Sequence, residues 1–148
     1  MEQVFDITTD LKIRKAEPDD TGSLHTYCFP SETLEEVEKK LKRDIDLMDR
    51  GEAYRFVAEM NGYAMGNILL EFEKKNKKVA QISQIAVAPP WRGTIIADRL
   101  VEVTSAIAKE SNVETLQIEA NRSDGKLIEK YKGWGFVEKE IIILEKKL

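Results

Sequence analysis

The chain has only one cysteine and one histidine among its 148 residues. Cys28 therefore cannot form an internal disulfide, and Cys28 with His25 cannot supply the four ligands of a usual structural zinc site. Apolar runs are short, and 141–144, one of the longest, falls far below the length that crosses a bilayer. Residues 1–10 are acidic and lack the apolar core of a signal peptide. We expect a cytoplasmic protein without a membrane partner or a metal.

Negative charge exceeds positive charge, with 27 Asp and Glu residues against 23 Lys and Arg residues and a net charge of -4. Binding to nucleic acid depends on clustered Lys and Arg side chains that contact phosphates. The one basic cluster, residues 74–78, lies between two predicted strands and indicates a solvated hairpin tip. We therefore expect no nucleic-acid partner. The length predicts a single domain, residues 1–148, large enough to bury one core.

Hydrophobic periodicity divides the chain into strands and helices. Strands are predicted at 11–14, 54–60, 63–72, 79–87, 115–120 and 136–144. Helices are predicted after Pro18, after Ser31 as N-cap, after Gly93, and after Asp124 as N-cap. The strand–helix–strand order over 79–120 implies a right-handed parallel crossover, whereas the earlier strands form antiparallel hairpins. The expected fold class is α/β with a mixed sheet, in the order strand, two helices, three strands, helix, strand, helix, strand.

The most informative junction is IAVAPPWRGTIIA, residues 85–97. A buried strand ends here, two prolines interrupt it, and a turn containing Gly93 opens a helix. The first backbone N–H groups of a helix have no partners of their own, and with the helix dipole they suit a phosphate. Arg92 adds a planar cationic fork. The alternative is an ordinary strand–turn–helix junction, which any α/β protein contains.

This junction resembles the coenzyme A motif of the GCN5-related N-acetyltransferase (GNAT) family, which reads Gln or Arg, two residues, Gly, one residue, then Gly or Ala. Arg92 and Ala97 match it, and Ile95 stands where the middle glycine belongs. The strand end at 85–87 with the proline that follows, the opening at 13–20, and Tyr131 before Gly135-Phe136 are also similar to the family. The likeness spans residues 11–136 in the family's element order.

The resemblance implies that the strands at 79–87 and 115–120 splay apart to admit the pantetheine arm of acetyl-coenzyme A. The Ile85 N–H would polarise the thioester carbonyl, and the turn amides would hold the pyrophosphate. The implied cofactor-binding residues are Ile85, Ala86, Val87, Arg92, Gly93, Thr94, Ile95, Ile96, Ala97, Asp124 and Tyr131. We expect Ile95 to crowd the phosphates and weaken binding. Asp124 replaces the family's usual Asn, so it can accept but not donate a hydrogen bond.

The resemblance also assigns catalytic roles. Tyr131 corresponds to the residue that hands a proton to the leaving thiolate. Some members carry a general-base Glu where this chain has Gln81, so Glu71, Glu73 or a chain of waters would have to replace it. The function implied is direct transfer of acetyl to an amine acceptor, a small molecule or a peptide.

Two other functions stay open at this point. Ile95 and Gln81 motivate a catalytically weak or inactive acyl-CoA-binding or regulatory module, and a protein-interaction domain that has lost the ligand is the third reading. The oligomeric state is left as monomer or homodimer, because an apolar last strand could pair across a dimer.

Overall fold

The computed structural model describes residues 10–148, so residues 1–9, where we predicted no signal peptide, lie outside the description. The chain falls into two compact units, Met1–Gln117 and Ile118–Leu148. The prediction of a single domain over residues 1–148 stays a prediction. Within residues 10–148, none of the helices has both the length and the apolar character that a membrane span requires.

A five-stranded mixed sheet forms the first unit, with the strands in the order β1-β2-β3-β4-β5. The strands are β1 Leu11–Lys15, β2 Ala53–Met60, β3 Tyr63–Phe72, β4 Val79–Val87 and β5 Thr115–Ile118. Strands β1 to β4 pair in antiparallel fashion, as the alternating pattern and the Asn61-Gly62 turn predict. Strand β5 begins beside β4, where the Thr115 N–H donates to the Lys78 carbonyl at 3.1 Å. The predicted α/β class with a mixed sheet is confirmed.

Three helices accompany this sheet: α1 Thr21–Tyr27, which follows a 3-10 turn at Pro18–Asp20, α2 Leu34–Asp49 and α3 Ile96–Glu110. The N-cap of α2 is Thr33, whose hydroxyl accepts from the Glu36 N–H at 3.1 Å, while the Glu36 carboxylate accepts from the Thr33 N–H at 3.2 Å. The prediction of Ser31 as the cap is wrong. Thr33 has a glutamate three residues later and so closes a reciprocal capping box.

The core lies on both faces of the sheet. On one face, Leu24 of α1 and Leu41 of α2 pack with Val57 of β2, and each fully buried leucine contributes about 1.5–3 kcal/mol. On the other face β3 approaches α3 closely at Gly66, where a Cβ would lie 3.2 Å from Cγ2 of Ile96. Glycine at this position therefore fixes the spacing between the middle of the sheet and the start of α3.

One ion pair is buried within this core. The Arg55 side chain on β2 donates from Nε to Oδ2 of Asp44 on α2 at 2.6 Å, and the two side chains are 1% and 0% exposed. Removing two charges from water costs several kcal/mol per ion, so the pair is stable only with close geometry and further hydrogen bonds. The pair therefore fixes α2 against the sheet at one point.

The second unit contains α4, Gly125–Gly133. Asp124 caps it as predicted, since its Oδ1 accepts from the Leu127 N–H at 3.2 Å. The predicted last strand at 136–144 is not present, because residues 136–148 form neither helix nor strand. The side chains of Ile141, Ile142, Ile143 and Leu144 are 65–86% exposed. An apolar run predicts burial, but a strand also needs a partner backbone, which the run itself does not specify.

Replacing Asp44 with alanine should lower the free energy of unfolding by about 3–5 kcal/mol, because Arg55 is left as a buried charge without its carboxylate. The control is Lys42→Ala on the same helix, which removes an exposed ion pair with Glu38 and should cost less than about 1 kcal/mol. Urea denaturation followed by circular dichroism measures both. Equal small losses in the two variants would contradict the assignment.

Candidate active site

The junction between β4 and α3 is built by residues that stop one element and start the next. Strand β4 ends at Val87, and a 3-10 turn at Pro89–Trp91 follows, because proline cannot donate to a sheet ladder. Gly93 has φ of 80°, a left-handed conformation that glycine adopts without cost. The chain then enters α3 at Ile96.

The start of α3 leaves several backbone N–H groups without acceptors. Among residues 10–148, the amides of Gly93, Ile95 and Ala97 have no hydrogen-bond partner, and that of Ile96 makes only a 3.5 Å contact with the Thr94 hydroxyl. The Ile96 and Ala97 amides lie in the first turn of α3, a helix of 15 residues, Ile95 is its N-cap, and Gly93 lies in the turn just before it. The helix dipole adds a positive potential at this end. The arrangement suits a phosphate or another anion.

Arg92 lies beside these amides. Its Nε donates to the Val87 carbonyl at 3.2 Å, which fixes the guanidinium next to the end of β4, and the residue as a whole is exposed. A guanidinium held in this way can present its remaining N–H groups to an anion as a planar fork.

Ile95 replaces the glycine of the family motif. Its φ is -75°, which any residue adopts, and the residue is 58% exposed. The backbone here therefore does not need glycine. The predicted crowding of a phosphate by Ile95 stays a prediction.

Strand β4 contains a bulge shortly before its end. Asn67 pairs with Ala86 and Leu69 pairs with Ser83, so Ile68 of β3 faces two residues, Gln84 and Ile85. Gln84 has φ of 54°, in the left-handed region that non-glycine residues rarely adopt. The bulge takes Ile85 out of the one-to-one register with β3.

A polar network lies beneath this bulge, and sequence reasoning missed it. Arg55 donates from Nη1 to the Asn67 side-chain oxygen and from Nη2 to the Gln84 side-chain oxygen, the latter at 2.7 Å. The Asn67 oxygen accepts from Arg55, and the buried Asn67 Nδ2 has no hydrogen-bond partner. The sequence carried one signal of this network: two charged residues stand at positions where the hydrophobic pattern calls for apolar ones. Arg55 lies inside a strand, and Asp44 lies three residues after Leu41 on the apolar face of α2.

Cys28 lies at the edge of the same network, with its Sγ 3.8 Å from the Ala86 carbonyl oxygen. Burial raises the pKa of this thiol to about 11, although the positive charges of Arg55 and Arg92 act in the opposite direction. The thiolate is the nucleophilic form of cysteine, so Cys28 is unsuited to covalent catalysis at neutral pH.

The two predicted base candidates lie at and beyond the end of β3. Glu71 is opposite Gln81 in the β3–β4 register and accepts from Nη2 of Arg43 at 3.1 Å, a contact that raises the pKa of Arg43. Glu73 follows the last residue of β3 and is exposed. Neither arrangement favours a general base, and both roles stay predictions.

In the second unit, Tyr131 lies on α4 and its ring stacks on Trp134 at a centroid distance of 5.6 Å. Burial raises the pKa of the Tyr131 phenol above its ordinary value, and the negative charge of Asp124 acts in the same direction. The phenol therefore keeps its proton at neutral pH, which a general acid requires.

Comparison with known proteins agrees with this geometry. The model of the acetyltransferase (GNAT) family matches residues 16–136. An uncharacterized N-acetyltransferase of Methanocaldococcus jannaschii is 33% identical over 102 residues, which cover 65% of this chain and 44% of that protein. An uncharacterized N-acetyltransferase of Archaeoglobus fulgidus is 29% identical over 126 residues, which cover 77% of this chain and 84% of that protein. The chain spans less than half the length of the first relative.

Among solved structures, the aminoglycoside N-acetyltransferase AAC(6')-Iy in complex with CoA has a TM-score of 0.80 at 14% identity, with 97% of this chain and 99% of that chain covered. At that identity the likeness shows the fold. The family match covers most of the sequence, so the chain belongs to the acetyltransferase (GNAT) family. Enzymes of this family are N-acetyltransferases that take their acetyl group from acetyl-CoA.

The raised pKa of Cys28 predicts slow alkylation. At pH 8 the thiolate fraction should be about 100-fold below that of an unperturbed cysteine, and the rate with iodoacetamide should fall to a similar degree. The rate should rise about tenfold per pH unit up to about pH 11, because each unit increases the thiolate fraction tenfold. Mass spectrometry of the native protein measures the rate, and the urea-unfolded chain is the control. Equal rates in the two states would contradict the assignment.

Proposed function

We propose that this chain transfers the acetyl group of acetyl-CoA directly to an amine. The observation that carries the proposal is the set of unpartnered amides of Gly93, Ile95 and Ala97 at the start of α3. A diphosphate offers several acceptor oxygens and negative charge, which match these donors and the guanidinium of Arg92. The site needs no particular side chain at Thr94 or Ile96, because the backbone supplies the contacts.

The acyl end of the cofactor would lie along β4. In the first unit β5 contributes only Thr115–Gln117, and it starts beside Lys78, so it is too short to run alongside all nine residues of β4. That leaves room for an extended arm to hydrogen-bond with Ile85, Ala86 and Val87 in place of a strand. The Ile85 N–H, in the bulge, would donate to the thioester oxygen and stabilise the charge that develops during attack.

Chemistry at the amine requires a neutral nucleophile. A lysine-like amine has a pKa near 10.4, so about one molecule in a few thousand is neutral at pH 7, which corresponds to about 4–5 kcal/mol. Glu71 is held in its ion pair with Arg43, so we assign the removal of the proton to water rather than to a carboxylate. The thioester already provides a good leaving group, and no protein nucleophile is needed.

For the acceptor we propose a small cationic amine. The chain carries a net charge of -4, which favours association with cations. The similar structure described above is that of an aminoglycoside N-acetyltransferase, so an amine of that kind is a reasonable first member of a test panel. Aminoglycosides, polyamines, amino sugars and peptides with free N-termini can be compared by the release of free CoA.

A second function is favoured by one observation. Gln81 stands where some relatives carry a base, and its cross-strand neighbour Glu71 is paired with Arg43. These residues fit an acyl-CoA-binding module that does not turn over. Tight binding of acetyl-CoA in calorimetry, with no CoA release across the amine panel, would support this second function over the first.

Replacing Arg92 with alanine should weaken acetyl-CoA binding about 10- to 100-fold, because a charge-assisted hydrogen bond to the diphosphate is lost. The matched control is Arg99→Ala on α3, which removes the same charge from an exposed pair with Glu102. Calorimetry measures both dissociation constants. A thioester that lacks the diphosphate, S-acetyl-N-acetylcysteamine, should be used equally well by wild type and Arg92→Ala. An equal change in the two arginine variants would contradict the assignment.

Replacing Tyr131 with phenylalanine should lower kcat at least tenfold while the dissociation constant of acetyl-CoA changes less than about threefold, because the proton donor for the thiolate is lost but the ring remains. Single-turnover kinetics and calorimetry separate the two effects. Unchanged turnover would remove Tyr131 from the role of acid. Trp134→Phe provides a control for the stacked ring pair.

A further inference from the structure

The conformation of Gln84 needs an explanation. It occupies the bulge with φ of 54°, a place that glycine usually takes in bulges of this kind. For residues other than glycine, the left-handed conformation is about 5–30 times less populated than the right-handed one. The exposed side chain of Gln84 is not fixed by core packing, so another interaction must hold the residue in place.

Arg55 supplies that interaction. Its Nη2 donates to Oε1 of Gln84 at 2.7 Å, while its Nε donates to Asp44 at 2.6 Å and its Nη1 donates to Asn67. The guanidinium is planar and its N–H groups point in fixed directions. Asp44 of α2 and Asn67 of β3 accept from two of these N–H groups and so fix the orientation of the guanidinium. The direction of the third N–H group then defines where the Gln84 side chain must lie.

The hydrogen bonding of Asn67 also indicates that the orientation of the Arg55 guanidinium is the constrained feature of this network. The Asn67 amide is buried with Nδ2 unpartnered, which costs the protein a satisfied donor. Rotating the amide would place Nδ2 against the guanidinium, so that two donors would face each other and the contact with Arg55 would be lost. The structure thus keeps the Asn67 oxygen on Arg55 at the expense of its nitrogen, as expected if the orientation of Arg55 is the constrained feature.

We propose that Arg55 is a positioning residue for acetyl transfer. By holding the Gln84 side chain it keeps residue 84 in the left-handed conformation, and the bulge thereby maintained sets the position of the Ile85 N–H. The link to transfer rests on the proposed function, whereas the control of the bulge by Arg55 does not.

Substitutions at Gln84 test this without disturbing the core. Gln84→Gly removes the contact with Arg55 but adopts positive φ without cost, so the affinity for acetyl-CoA should stay within about threefold of wild type. Gln84→Ala loses the contact and keeps the conformational cost, so affinity should fall about 5- to 30-fold. Gln84→Val, with a β-branched side chain, should lose more. The expected order is wild type and glycine first, then alanine, then valine.

The variant Arg55→Lys tests whether the loss of acetyl-CoA affinity arises from the missing contact between Arg55 and Gln84. Lysine keeps a positive charge for Asp44 but lacks the fork that reaches Gln84, so its loss of affinity should match that of Gln84→Ala. Adding Gln84→Gly to Arg55→Lys should restore affinity, which a merely destabilised core would not show. If Arg55→Lys fails to fold, the three Gln84 variants decide the question alone.

The measurements are acetyl-CoA dissociation constants by calorimetry, and backbone ¹³C chemical shifts of residue 84 in the free protein. A Gln84→Gly variant as weak as Gln84→Ala would show that the side chain contacts the ligand, and would overturn the proposal. Wild-type affinity and positive-φ shifts in Gln84→Ala would also overturn it. Absence of acetyl-CoA binding by wild type would instead remove the proposed function, and the chemical shifts would still decide whether Arg55 controls the bulge.

Discussion

The buried ion pair between Arg55 and Asp44 is the constraint on which the rest of the structure depends. It joins α2 to β2, and through the same guanidinium it reaches β3 at Asn67 and β4 at Gln84. Buried ions are tolerated only when every partner is in place, so these elements cannot shift independently. The helix that covers one face of the sheet and the irregularity in β4 are therefore set by one side chain.

The candidate site is made mostly of backbone. The bulge at Ile85 and the open amides that begin α3 lie on either side of the end of β4, and both depend on conformation more than on side-chain identity. Residue identity contributes less directly. The Arg92 side chain is fixed by a carbonyl of β4, and the absence of a side chain at Gly66 sets how closely α3 approaches β3.

Much of the fold could be predicted because the elements carry periodic apolar patterns and local stop signals. The hairpin at Asn61-Gly62 and the cap at Asp124 are local features, and each is confirmed. The network around Arg55 joins residues 11 to 29 positions apart, so no short-range pattern predicts it. The bulge was missed because Gln84 is not glycine, and the strand at 136–144 failed because its partner is not encoded in its own composition.

Ile95 has a consequence for how relatives of this protein are recognised. The motif position it occupies has an ordinary helical backbone, φ -75°, and an exposed side chain. The path of the chain at this position therefore does not require glycine. A search pattern that requires glycine at this position would reject this sequence, whereas a pattern written on the order of elements and the open turn before α3 would retain it.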